Sequence, residues 1–124
     1  MNIVTTSYSG YRPTDGRAVR TSVTLPHWFR QPHDFIEEIA PFGILGEPEW
    51  HSPYVARLDE HAVTIREHLE RLAQAHTAPL VVLCWCARGA DCHRRVFAEW
   101  MADRYGFVVP ELRFEPTPVQ GVLV

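Results

Sequence analysis

LVVLCWCARGADCHRRVFAEW, residues 80–100, decides the fold of this 124-residue chain. Its first five residues form a continuous apolar run. That is the pattern of a strand buried on both faces, as in a parallel sheet. Residues 85–90 predict a short loop. Asp91 is a good N-cap, and Val96, Phe97, Trp100 and Met101 then recur at helical spacing. A helix is therefore predicted over 92–105, ended by Gly106. Residues 107–114 read as a last strand. The whole makes a βαβ unit over 80–112, which should be right-handed.

The pattern continues upstream. NIVTTSY, residues 2–8, is a β-branched run bounded by Ser9-Gly10 and predicts a first strand. Residues 9–32 are turn-rich, with a short strand expected over 18–23. A short helix is expected over 33–39, stopped by Pro41 and Gly43. Ser52 and Pro53 suit an N-cap and first helical position. After them Val55, Leu58, Ala62, Ile65, Leu69 and Leu72 form one apolar face of a long helix running to about His76. The order of elements predicts a single α/β domain over 1–124, with a mostly parallel sheet flanked by helices.

Composition narrows the function. Apolar residues make up 46 % and charged residues 22 % of the chain, ordinary for a globular protein. A chain of this length buries a core without disulfides or metal. The net charge of −3 supplies no global basic field for nonspecific nucleic-acid binding. Every basic side chain other than histidine is Arg, and Lys is absent, so arginine numbers carry little weight here and arginine positions more. No apolar run is long enough for a membrane span, and MNIVTTSYSG lacks the basic and apolar regions of a secretory signal. The three cysteines are an odd number, two of them one residue apart, which is a poor disulfide framework. A reducing, cytoplasmic compartment is expected.

The cysteines fall where chemistry is expected. In α/β sheets ligands gather where strands end and helices begin. Cys84 ends the apolar strand, and Cys92, His93 and Arg94 open the following helix. A helix start attracts anions and favours a thiolate. Cys92 is therefore the candidate nucleophile, with His93 as general acid/base or hydrogen-bond donor and Arg94 as an anion clamp. Tyr8, Tyr11, Arg12, Arg17 and Arg20 follow the first strand and can reach the same edge. Of these, Tyr8, Arg12 and Arg20 join Arg94 and Cys84 as candidate ligand-binding residues.

Several motifs are excluded. Six residues beyond Cys86 stands Cys92, and six beyond Cys84 stands Ala90, so no phosphatase loop ending in Arg is present. Without Lys there is no phosphate-binding loop, and the serine elbow is absent. Cys84, Cys86, Cys92 and His93 are good zinc ligands by type. Their spacing is unusual: Cys84 and Cys86 are separated by one residue, and adjacent helical residues diverge by about 100°. No cofactor is expected, with zinc as the alternative.

With these residues in hand, LVVLCWCARGADCHRRVFAEW resembles the signature of the domain of unknown function 488 family. In that signature an apolar strand ending in Cys precedes a short loop and a Cys-His-Arg helix start. IVTTSYSGYR and AVRTSVTLPHWF also resemble the opening of its small bacterial members. The likeness touches both ends of the chain and leaves about 31–77 supported by element order. It carries over to Arg20, Cys84, Cys92, His93 and Arg94. The chain departs from the family at Trp85-Cys86, where many members have an acidic step. The resemblance implies an α/β fold and a site, without a known reaction.

The leading expectation is thus a protein that binds a small anionic, phosphate-bearing ligand, a nucleotide or nucleic-acid end, with a thiol-dependent hydrolase or transferase activity. The alternatives are a non-catalytic ligand- or partner-binding module and a small zinc protein. Duplex DNA is disfavoured by the acidic balance and the lack of a recognition helix.

Overall fold

A computed structural model describes residues 1–44, 46–86 and 92–113. Four strands form one all-parallel sheet: β1 (Ile3–Ser7), β2 (Arg17–Arg20), β3 (His33–Phe35) and β4 (Leu80–Cys84), in the spatial order β1-β4-β2-β3. Three helices accompany them: α1 (His51–Glu60), α2 (Ala62–Ala75) and α3 (His93–Tyr105). The expected α/β class is what the chain adopts. No helix among the described residues is long and apolar enough to cross a membrane.

The apolar run of β4 is explained by its place. It is central, paired with β1 on one side and β2 on the other, and every residue is buried. Alternation divides its side chains between two cores. Leu80 and Val82 join Ile3 and Val19 on the face covered by all three helices. Val81 and Leu83 join Val4 and Ala18 on the other face, where Tyr8, Tyr11, Leu25 and Phe29 cover them. The chain moves one way across the sheet from β1 to β3 and back the other way through β4. A constant crossover hand puts those two sets of connections on opposite faces, as the two cores show.

The structure differs from expectation at six places. Residues 33–39 are not a helix. They form β3 and then one 3₁₀ turn, Glu37–Ile39. Pairing with the outer edge of β2 wins over local propensity, and the Arg17–Asp34 ion pair at 2.8 Å links the two strands. The strand expected over 18–23 is Arg17–Arg20. The long helix is broken at His61, whose backbone leaves the helical region at φ −105° and ψ 16°. No Gly or Pro marks that break. It is held by tertiary contacts: Asp59, near the end of α1, accepts hydrogen bonds from Trp100 Nε1 (2.8 Å) and Arg104 Nη1 (3.1 Å) of α3. The apolar face crosses the break, with Leu58, Ala62, Ile65, Leu69 and Leu72 all buried. The helix also starts earlier than Ser52 suggested: Trp50 is the cap, and Ser52 and Pro53 lie in the first turn, where a missing N–H costs nothing.

The last strand shrinks to one bridge. Glu111 pairs in parallel with Thr5, through Thr5 N–H to Pro110 O (2.9 Å) and Leu112 N–H to Thr5 O (2.8 Å). Pro110 has no N–H to donate, which limits a ladder here. Phe114 and the tail lie outside the described residues. Lastly, α3 begins at His93 with Cys92 as its N-cap in extended conformation (φ −143°, ψ 156°). The cap expected at Asp91 lies outside the described residues.

Tyr54 gives a first test of the core. It is fully buried, and its hydroxyl donates to Ile39 O at 2.6 Å, tying α1 to the 3₁₀ turn after β3. Tyr54→Phe leaves that buried carbonyl without its partner. A loss of about 1–3 kcal/mol is expected in urea denaturation, with the secondary structure retained by circular dichroism.

Candidate functional site

The carboxyl ends of β1 and β4 meet where the chain reverses its direction across the sheet. After β1 the connection crosses one face, and after β4 the helix α3 crosses the other. Such a switch point is where open α/β sheets place their ligands. Cys84 is the last residue of β4 and Cys92 caps α3, so the strand end and the helix start bring the two thiols together.

The two sulfurs lie 2.7 Å apart, and neither cysteine is in a disulfide. Cys84 is fully buried and Cys92 is 2 % exposed. Arg94, also fully buried, donates from Nη1 to Cys84 Sγ (2.6 Å) and to the Cys86 carbonyl (2.9 Å). Its Nη2 faces Glu111 Oε2 at 3.5 Å, and Glu111 Oε1 is 3.5 Å from Arg95 Nε. On the other side of the pair, His93 Nδ1 stands 3.7 Å from Cys92 Sγ. His93 Nε2 is 2.8 Å from Thr21 O and 3.4 Å from Thr21 Oγ1, and that hydroxyl itself donates to Leu83 O at 2.9 Å.

These contacts assign the histidine tautomer. A carbonyl only accepts, so Nε2 carries a proton, and in the neutral ring Nδ1 then presents its lone pair to Cys92. The donors then run one way: Arg94 to Cys84, Cys84 to Cys92, Cys92 to His93, and His93 to Thr21 O. Hydrogen bonds with the Cys86 and Cys92 thiols push the Cys84 thiol far above its ordinary range, and burial adds to this, while the Arg94 guanidinium opposes it. Burial works against the charge on Arg94, but the two sulfurs and Glu111 outweigh it and raise its pKa further.

The expected site residues divide into two groups. Cys84, Cys92, His93 and Arg94 form one cluster. Tyr8, Arg12 and Arg20 lie around the carboxyl edge. Tyr8 is buried on the opposite face, with its hydroxyl 2.6 Å from Ser22 Oγ and its ring edge-on to Phe29 and Trp85. Burial raises its pKa against the Ser22 hydrogen bond and the nearby Arg20 charge, and Cys84 adds to the rise. Arg20, expected as an anion clamp, donates to the Ser22 and Val23 carbonyls (3.1 and 2.6 Å) and stacks over Phe35 at 4.0 Å. Arg12 is exposed and lines a polar cavity of about 390 Å³ with Ser7, Ser9, Gly10 and Arg113. Trp85 is 52 % exposed and anchored by Nε1 to Thr24 O at 2.8 Å.

Two residues of the cluster escaped the reading of the sequence. Glu111 and Thr21 each fell within a strand expected there, over 107–114 and 18–23. Thr21 acts mainly through its backbone carbonyl, which leaves no side-chain signal. Glu111 is one of fifteen acidic residues, and only the bridge to Thr5 brings it to Arg94.

The Sγ atoms of Cys84 and Cys92 and a ring nitrogen of His93 all lie within 4.8 Å of one another, so this group can hold a metal ion. Compared with known proteins, the chain matches no family model, no curated protein and no solved structure.

Proposed function

We propose that this chain is a thiol-dependent hydrolase or transferase of the domain of unknown function 488 type, acting on a phosphate-bearing ligand such as a nucleotide or nucleic-acid end. The observation that carries this reading is the order Cys92, His93, Thr21 O: a nucleophile, a base within reach, and a group that orients the base. In the reaction, the Cys92 sulfur bonds to the electrophilic atom of the ligand as its proton passes to His93 Nδ1. The leaving group departs with the bonding electron pair and takes a proton from His93. Water or an acceptor then displaces Cys92, which regains its thiol. The start of α3 and the arginines at this edge favour the ligand's anionic group. The chain would work without a bound cofactor.

The test uses AMP, ATP, para-nitrophenyl phosphate and a 5′-phosphorylated oligonucleotide against the whole reduced protein. At least one should raise the melting temperature and slow iodoacetamide labelling of Cys92. Cys92→Ser should keep that thermal shift and lose turnover. A shift without turnover in the parent protein supports the non-catalytic binding reading instead. No shift and no protection with any of them ends the phosphate reading.

Zinc is the second reading, favoured by the Cys84, Cys92 and His93 donors. A His that donates through one ring nitrogen to a backbone carbonyl offers the other to a metal, as His93 does toward Cys92. Cys86, two residues beyond Cys84, would be the fourth ligand. One equivalent of zinc by elemental analysis, with chelation exposing all three thiols together, is the result this reading requires.

A further inference from the structure

Three cysteines gather at this junction, and they differ in access. Cys86 is partly exposed, whereas Cys84 and Cys92 are buried. The Cys84 sulfur is 2.7 Å from that of Cys92, and Cys86 follows two residues on, its carbonyl sharing Arg94 Nη1 with the Cys84 sulfur. The Cys84–Cys92 separation exceeds a disulfide bond of about 2.05 Å by only a fraction of an ångström. The two residues come from a strand end and a helix cap, eight positions apart. Arg94 Nη1 holds both Cys84 Sγ and the Cys86 carbonyl, which fixes the strand end against the helix.

We infer that Cys84, Cys86 and Cys92 form a three-thiol relay in which a peroxide oxidises Cys86 and the oxidation passes inward to a buried Cys84–Cys92 disulfide. In the first step the Cys86 sulfur attacks the peroxide O–O bond, giving a sulfenic acid and one water. The Cys84 sulfur then attacks Cys86, loses its proton, and expels the sulfenic oxygen as a second water, leaving a Cys84–Cys86 disulfide. Cys92 attacks the Cys84 sulfur and displaces Cys86, which recovers the proton Cys92 gives up. The sum is two thiols and one peroxide to one disulfide and two waters, with Cys86 returned as a thiol. The final bond is favoured because it joins residues already aligned, while a disulfide across one intervening residue closes a tight ring. This inference goes beyond the catalytic reading and stands without it. If both hold, oxidation removes the Cys92 nucleophile, and a dithiol reductant restores it by exchange.

The test treats the whole reduced protein, with chelator present, with one equivalent of hydrogen peroxide. Remaining thiols are then alkylated and the protein is digested without reduction. Trypsin cuts after Arg71, Arg88 and Arg94, so Cys84 and Cys86 share the peptide 72–88 while Cys92 lies in 89–94. The expected product is 72–88 joined to 89–94, with the alkyl group located on Cys86 by fragmentation of the longer peptide; an alkyl group on Cys84 instead overturns the Cys84–Cys92 bond. Cys86→Ser, at a partly exposed position, should form the same cross-link about tenfold more slowly, because the accessible thiol is gone. Cross-linking at the parent rate in Cys86→Ser overturns the relay. A product closed within 72–88, or Cys84 and Cys92 both alkylated after treatment, overturns the buried disulfide.

Discussion

Arg94→Ala should be the most damaging substitution in the cluster, with a loss of about 3–5 kcal/mol in chemical denaturation. The guanidinium is completely buried, and among the described residues it reaches Cys84 Sγ, the Cys86 carbonyl and Glu111. Truncation takes the Arg94 cation away from the Glu111 carboxylate, whose side chain is 9 % exposed, and among the described residues leaves the partly exposed Arg95 opposite it. It also opens a cavity between β4 and α3. Part of the cost comes from separating a buried cation from its carboxylate. The double variant Arg94→Met, Glu111→Leu removes both charges and refills the space, so it should recover most of the lost stability. If the single and double variants are equally damaged, neither the charge on Glu111 nor the cavity explains the effect, and the lost hydrogen bonds to Cys84 Sγ and the Cys86 carbonyl do. Arg94→Lys should fall between, because one ammonium cannot reproduce the geometry of the fork.

The same residue shows what was legible in the sequence. Arg94 stood out because it follows Cys-His at a helix start, and the helix start was readable from the spacing of Val96, Phe97, Trp100 and Met101. The strand before it was readable because a central parallel strand must be apolar on both faces. Those two elements bring Cys84 to Cys92, so the core of the cluster followed from local pattern. What did not follow was everything set by pairing at a distance. His33, Asp34 and Phe35 carry no strand signal, yet the open edge of β2 recruits them. The break at His61 depends on Asp59 meeting Trp100 and Arg104, and Glu111 reaches Arg94 only through its bridge to Thr5. The arginines of the N-terminal loops were grouped by sequence nearness alone. Arg20 instead turns to the Ser22 and Val23 carbonyls and to Phe35, because a loop can direct a long side chain to many partners.

Gly16→Ala carries the second large effect, and it acts on the cluster from the far end of β2. Gly16 has φ +144°, a conformation that side-chain-bearing residues rarely adopt. A Cβ there would stand 2.2 Å from Pro79 O and 3.0 Å from Pro79 C. Both are backbone atoms, and Pro79 O already accepts Arg17 N–H at 2.8 Å as β2 enters the sheet beside β4. No rotamer change relieves the contact, so the strand must shift. A loss of about 3 kcal/mol or more is expected from overpacking and backbone strain together. Gly43→Ala and Gly46→Ala are the controls, since their φ values are also positive but a Cβ would meet nothing within 4 Å. They should cost only about 1–2 kcal/mol. The register of β2 against β4 also sets Thr21, whose N–H and hydroxyl both bond to Leu83 O and whose carbonyl holds His93 Nε2. A shifted β2 therefore loosens the imidazole and, through it, the contact with Cys92. Gly16→Ala should accordingly speed alkylation of Cys92 in the native protein, whereas Gly43→Ala and Gly46→Ala leave it unchanged. Equal labelling in all three would separate the strand register from the thiol site and show that α3 alone positions His93.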